Sequence, residues 1–252
     1  MSRAADPVLT PVAALSAALV SGVLVAGAAV SDVATAGAFV VGALVLAVGW
    51  PRLLAVPSAG GVRVVVVLTA VLVAGVSALG EDERGMRWLP TVLAVALLAA
   101  FGHQLLRKDG RRRLVVTLAS TCLAIGILGS GGFYLAALDE RTGRQLVVAA
   151  VVACTIGMVV DVALARTSLA EWGLPVAMAA SGIVAFVLAQ SWGVRWSAMV
   201  LAAVAAPLVA QPVRRLLGHS STARDRGAQV ALGAASVLAA GITAYAVAWL
   251  FR

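Results

Sequence analysis

Residues 87–113 read RWLPTVLAVALLAAFGHQLLRKDGRRR. Arg87 and Trp88 precede an apolar run that extends through Phe101, and five Lys or Arg residues follow it within residues 107–113. An apolar run of about 20 residues is long enough to cross a bilayer as a helix. A Trp at one end is typical of the membrane interface, and a basic cluster is typical of a cytoplasmic end. We therefore predict a transmembrane helix that ends in the cytoplasm.

The composition of the whole chain agrees with a membrane protein. Of the 252 residues, 62% are hydrophobic and 12% are charged, whereas a soluble domain is about 25% charged. A water-soluble fold is therefore excluded. The formal charge of +8 lies mostly in loops between apolar runs, which indicates membrane topology and anionic lipid headgroups and not nucleic acid. Cys122 and Cys154 lie inside apolar runs, so we expect neither a disulfide nor a metal site, and no cofactor.

Eight further apolar runs predict an all-α membrane protein with nine transmembrane helices in a single domain, residues 1–252. These runs are residues 8–30, 35–56, 62–79, 114–138, 146–165, 174–191, 196–217 and 228–250. The segment Ala26-Gly27-Ala28 resembles a signal-peptide cleavage site. Because the first run is long and its head is only weakly basic, we favour a retained first helix over a cleaved one.

The distribution of basic residues predicts the orientation. With a cytoplasmic N-terminus, 13 of the 19 Lys and Arg residues fall on the cytoplasmic side and six on the outer side. All connections are short enough for the positive-inside rule to apply. We therefore predict a multi-pass plasma-membrane protein with its C-terminus outside. The basic residues expected to set this topology and to contact lipid headgroups are Arg107, Lys108, Arg111, Arg112, Arg113, Arg214 and Arg215.

An offset of 108 residues suggests an internal repeat. It relates Arg87-Trp88 to Arg195-Trp196 and Arg107 to Arg215. The offset corresponds to four spans, so residues 35–138 and 146–250 would form a parallel 4+4 repeat after the first helix. Parallel repeats of this kind occur among transporters.

Three polar residues inside the spans are candidates for substrate binding. His103, Asp161 and Gln211 each lie about 15 residues from the outer end of their helix, so they reach a similar depth in the cytoplasmic third of the membrane. An ionisable residue inside a span is a functional-site hypothesis by default, and a His with an Asp could relay protons or bind a polar headgroup. The alternative is that all three snorkel to the cytoplasmic interface, or that Asp161 pairs with Arg166.

A glycine-rich segment in the fifth span allows two interpretations. It reads Gly126-Ile-Leu-Gly129-Ser130-Gly131-Gly132. A locally unwound helix would expose backbone carbonyls to a solute. Close packing of helices through small residues is the simpler interpretation, because small residues are common between membrane helices.

No catalytic motif is evident, and one loop has a partial match. Gly218-His219-Ser220-Ser221 with Asp225-Arg226 resembles part of the C-terminal signature of the phosphatidate cytidylyltransferases, membrane enzymes that activate a lipid phosphate with CTP and metal ions. Ser-Ser stands where that signature has Gly-Gly, and its upstream Lys-Asp is missing. Its metal-binding acid matches Asp161 only loosely. This resemblance would imply a lipid-modifying enzyme.

A broader resemblance covers most of the chain. Gly49-Trp50-Pro51-Arg52, the Arg87-Trp88-Leu-Pro90 start and residues 103–114 are similar to multi-pass membrane proteins of high-GC actinobacteria that are labelled only as permeases or membrane proteins. This resemblance implies no substrate. Two functions are therefore predicted beside the enzyme: a permease-like carrier or flippase, and a non-catalytic subunit or scaffold of an envelope assembly. The expected partners are the lipid bilayer and other proteins or further copies of the chain, and no nucleic acid.

Overall fold

The protein is built from helices connected by short turns. Its structure, a computed structural model, describes residues 9–79, 84–107 and 113–252, and regular structure in these ranges is entirely helical. Three of the basic residues predicted to set the topology, Lys108, Arg111 and Arg112, lie outside the described residues. The helices are α1 (Pro11–Val30), α2 (Asp32–Leu53), α3 (Ala59–Leu79), α4 (Arg84–Leu106), α5 (Leu114–Ala137), α6 (Gly143–Leu164), α7 (Gly173–Trp192), α8 (Trp196–Gly218), α9 (Arg226–Ala239) and α10 (Gly241–Leu250), with a short 3-10 helix, Ala170–Trp172, before α7.

Nine spans of membrane-crossing length and hydropathy occur in the described ranges. Each of α1 to α8 forms one span, and α9 and α10 together form the ninth, Arg226–Leu250. The prediction of an all-helical protein with nine spans is thereby confirmed. The observed helix ends lie within a few residues of the predicted ones. The thickness of the membrane sets the length of an apolar helix, so the length of each apolar run indicates where its helix begins and ends.

One end of the bundle carries features that fit nine crossings. Four exposed tryptophans lie at the same end: Trp88, Trp192, Trp196 and Trp249. Two exposed or half-buried ion pairs lie there as well. Arg144 at the start of α6 contacts Asp32 at 2.6 Å, and Arg252 contacts Glu140 at 2.5 Å. The C-terminus therefore lies at the end where α1 finishes, as an odd number of spans requires.

The ninth span is the centre of the bundle. In its most apolar window, 78% of the residues are buried, against 28% for the fourth and seventh spans. It packs against α1, α2, α5, α6 and α8. The sequence of α9, RGAQVALGAASVLA, is rich in Ala, Gly and Ser. Such small side chains let neighbouring backbones approach a helix on every side.

Glycines mark the closest of these contacts. A Cβ placed on Gly49 of α2 would lie 1.9 Å from the carbonyl oxygen of Gly227, and one on Gly233 would lie 2.4 Å from that of Ala13. Neither position could accept a side chain without moving a backbone. The central helix is therefore fixed against α1 and α2 by backbone contact.

The two segments of the predicted repeat pair their helices differently. In residues 35–138, α3 packs against both α4 and α5. In residues 146–250, α6 packs against both α7 and α8. In the repeat, α2 would correspond to α6 and α3 to α7. The second helix of the first segment therefore packs against the third and fourth, whereas in the other segment the first helix packs against the second and third. The repeat stays a prediction.

Candidate functional site: a buried ion pair and a broken helix

A buried ion pair joins α6 to α8. Asp161 accepts hydrogen bonds from Arg214 Nε to Oδ2 at 2.8 Å and from Gln211 Nε2 to Oδ1 at 2.7 Å. Arg214 Nη2 also lies 2.6 Å from Oδ2, and the exposed fractions of the Arg214 and Asp161 side chains are 0% and 6%. Two of the three predicted binding residues, Asp161 and Gln211, are thus brought together. They lie at a common depth, as predicted.

The position of Arg214 follows from the spacing of residues on α8. Pro207, Gln211, Arg214 and Gly218 are all buried, and they recur every three or four residues, as one face of a helix requires. Arg215 is about 100° further round the helix and is exposed. Adjacent arginines thus lie on opposite sides of the boundary between the protein interior and its surroundings.

This position corrects two of our expectations. Arg214 was predicted to lie among the lipid headgroups, but its side chain is completely buried between helices in this structure. The alternative interpretation paired Asp161 with Arg166, but the carboxylate of Asp161 binds Arg214. The physical reason is the same in both cases: a carboxylate and a guanidinium that share a buried helix interface neutralise each other, whereas either one alone would be costly to bury.

Small residues make room for the pair. A Cβ on Gly157 of α6 would lie 3.1 Å from Arg214 Nη2, and one on Gly173 would lie 3.0 Å from Asp161 Oδ1. Gly173 is the first residue of α7, whose amino-terminal amides and helix dipole favour negative charge. The carboxylate of Asp161 is therefore stabilised by Arg214, Gln211 and the start of α7.

His103, the third predicted binding residue, lies in another part of the bundle. Its Nε2 is 3.1 Å from Ser58 Oγ, and its ring lies against Gly61, where an added Cβ would overlap it. His103 belongs to α4, which packs against α3 and α5, whereas α8 packs against α6, α7, α9 and α10. The structure therefore does not place His103 with Asp161 and Gln211.

The other described residues of the set predicted to fix the topology are Arg107, Arg113 and Arg215, and they are close to the end of the bundle that the charge distribution assigns to the cytoplasm. Arg107 Nη1 donates to Gln104 Oε1 at 2.8 Å. Arg113 Nη1 donates to the carbonyl of Ala55 at 3.0 Å. Arg215 is exposed. Contact of these three residues with headgroups stays a prediction.

The ninth span is interrupted near its middle. Helix α9 ends at Ala239 and α10 begins at Gly241, which leaves 14 helical residues on one side of the break and 10 on the other. Two side chains of α5 bind the backbone at the break. Ser130 Oγ donates to the carbonyl of Ala239 at 2.5 Å and accepts from the amide of Ile242 at 3.3 Å. Tyr134 donates to the carbonyl of Val237 at 2.9 Å.

The glycine-rich segment of α5 provides the surface on which this break rests. Helix α5 is continuous from Leu114 to Ala137, so the alternative of an unwound fifth span is wrong. A Cβ on Gly241 would lie 2.1 Å from the carbonyl oxygen of Ser130, and one on Gly131 would lie 2.8 Å from the ring of Phe39. The interpretation as close helix packing is confirmed. The helix that is interrupted is the ninth span, which packs against the glycine-rich segment of α5.

We expect Ser130→Ala to destabilise the protein by about 1–2 kcal/mol. The change leaves the carbonyl of Ala239 and the amide of Ile242 without their side-chain partner, and unsatisfied buried polar groups cost roughly this much. The measurement is the free energy of unfolding in mixed micelles. Ser191→Ala is the matched control, because the Ser191 hydroxyl is exposed and bonds within its own helical turn. An equal effect of the two changes would contradict the proposed role of Ser130 at the break.

The loop that resembles the cytidylyltransferase signature uses its polar groups to begin α9. Asp225 is the N-cap residue, and its Oδ1 accepts from the amide of Gly227 at 3.0 Å. His219 Nδ1 contacts the carbonyl of Arg215. Within the described residues, no three His, Cys, Asp or Glu side chains are grouped as metal ligands would be. Asp161, the loosely matched acid, is engaged by Arg214 and Gln211.

Sequence reasoning missed Arg214 and the break in the ninth span. The spacing of Gln211 and Arg214 on one helix face was a signal for the first. The second has no signal of its own, since the break contains no proline. No family model, curated protein or solved structure that was compared with the chain matches it.

Proposed function

We propose that the protein is a permease-like carrier of the plasma membrane, in which the broken ninth helix lies on the path of the solute. The observation that carries this proposal is the break between Ala239 and Gly241, in the most buried span and near its middle. Interrupted helices near the bilayer midplane form the substrate sites of many secondary transporters. This proposal keeps the resemblance to permease-labelled actinobacterial proteins and the cytoplasmic N-terminus as its working assumptions.

The energetics of a break inside a membrane support a dedicated role. Backbone groups freed from a helix cannot bond to water in the hydrocarbon region, and each one left alone costs several kcal/mol. Here Ser130 and Tyr134 take over part of that bonding from a neighbouring helix. The break is one residue long, and the amides of Ala240 and Thr243 still donate across it to the carbonyls of Val237 and Ala240, at 3.2 and 3.0 Å. We take this discontinuity and its two partners as the place where the backbone rearranges.

Cysteine accessibility tests the carrier without knowledge of the substrate. In a Cys122→Ala/Cys154→Ala background, we expect Ser236→Cys to react with a small hydrophilic thiol reagent applied from either face of membrane vesicles. Ser236 is completely buried, one turn before the break. A carrier exposes its central site to each side in turn, so the thiol meets water from both.

Three single-cysteine variants serve as controls. Leu98→Cys faces lipid on α4 and should not react, since Leu98 is 70% exposed on the outer surface of the bundle. Ser191→Cys and Ser221→Cys lie at opposite ends of the bundle and should each react from one face only, which also tests the orientation. A Ser236→Cys thiol that reacts from neither face, or from one face only, would contradict a carrier and make the membrane-subunit hypothesis the working one.

A further inference from the structure

Arg214 has more hydrogen-bonding capacity than its known partners use. Its Nε and Nη2 face Asp161, both toward Oδ2. Its Nη1 is buried and has no hydrogen-bond partner in the part of the chain that the structure describes. A guanidinium donates through five N–H groups in a fixed planar fork, and a buried donor without an acceptor is costly. The free edge of Arg214 therefore needs an acceptor.

Small residues lie beside the guanidinium of Arg214. The guanidinium lies against Gly157 of α6. A Cβ added to Gly157 would be 3.1 Å from Arg214 Nη2 and 3.8 Å from Arg214 Nη1, and it would be 3.8 Å from the Cβ of Ala177 on α7. An added Cβ at Gly157 would thus touch both Arg214 and Ala177, so α6, α7 and α8 meet closely around the guanidinium. A glycine at residue 157 is the feature that lets the guanidinium lie there.

The charges of the site favour an anion over a cation. Asp161 balances the charge of Arg214, and the amino terminus of the 20-residue helix α7 starts beside that carboxylate at Gly173. A helix amino terminus contributes roughly half a positive charge. With the helix included, donors and positive charge exceed acceptors and negative charge at this junction.

We propose that Arg214 binds an oxyanion, a phosphate or carboxylate group, through its free Nη1 edge at the junction of α6, α7 and α8, while Asp161 holds the opposite edge of the guanidinium. Guanidinium groups bind phosphate and carboxylate through paired N–H donors. The inference rests on the proposed carrier and assigns its solute to the class of small oxyanions or anionic lipids. The site lies near the end of the bundle assigned to the cytoplasm, so the two sources of an oxyanion to be tested are a dissolved anion and a lipid headgroup.

Phosphate binding to the purified full-length protein in neutral-lipid nanodiscs tests this site. The probe is inorganic phosphate, and the readout is the dissociation constant from the rise of the unfolding temperature during titration. We expect the wild type to bind phosphate and Asp161→Asn to bind it on the order of tenfold more tightly, because the neighbouring negative charge, which repels a bound anion, is removed. The double variant Asp161→Asn/Arg214→Gln, in which no buried charge is left unpaired, should lose this binding.

Arg166→Gln is the matched control and should bind phosphate as the wild type does, since Arg166 is exposed and does not contact Asp161. Nanodiscs that contain phosphatidic acid distinguish the source of the anion. Stabilisation by this lipid but not by phosphate, again lost in the double variant, assigns the oxyanion to a lipid headgroup and supports the site. Equal responses of the wild type and the double variant, or no response to either probe, would overturn it.

The outcome is separable from that of the carrier proposal. Two-sided reactivity of Ser236→Cys without any response to phosphate or phosphatidic acid keeps the carrier and removes the oxyanion site. An Arg214-dependent response with no reactivity at Ser236→Cys keeps the binding site and removes the carrier. If Asp161→Asn fails to fold, the comparison of the wild type with the double variant still shows whether phosphate binding depends on Arg214.

Discussion

Arg214→Gln should lower the free energy of unfolding by about 3–5 kcal/mol, the cost of leaving one partner of a buried ion pair without the other. Both side chains are buried, with exposed fractions of 0% and 6%, so solvent cannot screen the carboxylate of Asp161 after the change. Gln cannot supply a positive charge. The measurement is equilibrium unfolding in mixed micelles, followed by the fluorescence of the chain's tryptophans.

The double-mutant cycle with Asp161→Asn separates the pair from its surroundings. Asp161→Asn/Arg214→Gln should be more stable than the sum of the single changes predicts, by an interaction of roughly 1–3 kcal/mol, because neither charge is then left alone. Arg215→Gln is the control and should remain within about 0.5 kcal/mol of the wild type, as exposed substitutions usually do. If Arg214→Gln and Arg215→Gln had the same small effect, Arg214 would not be buried beside Asp161.

The architecture was predictable because each apolar run contains its own evidence. A run of this length has to cross the membrane as a helix, since the backbone has no other hydrogen-bond partner in lipid. No knowledge of neighbouring helices is needed for that step. The same holds for the depth of Asp161 and Gln211, which follows from the rise per residue along each helix.

The partner of Asp161 was not predictable from depth alone. Depth places His103, Asp161 and Gln211 in one layer of the membrane, but it does not say which helices are neighbours. Helix α4 packs against α3 and α5, so His103 lies in a different part of the bundle from Asp161 and Gln211. Arg214 was assigned to the headgroups together with the other basic residues that the charge distribution places on the cytoplasmic side. Its shared face with Gln211 was the stronger signal.

The break in the ninth span depends on contacts between residues far apart in the chain. Ser130 and Tyr134 bind backbone groups more than 100 residues away, and nothing in the local sequence of the ninth span requires an interruption. The glycine-rich segment of α5 did indicate a special feature at this depth. It could not indicate that the irregular backbone would belong to the helix packed against it.

Gly241→Ala should lower the free energy of unfolding by an amount near the upper end of the 1–3 kcal/mol that overpacking usually costs. The added Cβ would lie 2.1 Å from the carbonyl oxygen of Ser130 and 2.9 Å from the Cα of Gly131. Both are backbone atoms, so no side-chain rotation can relieve the overlap, and α10 has to move away from α5. The measurement is again unfolding in mixed micelles.

Gly22→Ala is the matched control for Gly241→Ala, since an added Cβ at Gly22 on α1 meets nothing within 4 Å. It should be neutral or stabilising by about 0.5–1 kcal/mol, because alanine loses less backbone freedom than glycine when a helix forms. The two changes are chemically identical and differ only in the space around them. If Gly241→Ala were as well tolerated as Gly22→Ala, α10 would not be seated on Ser130 and Gly131. The support of the break by α5, on which the carrier proposal depends, would then be absent.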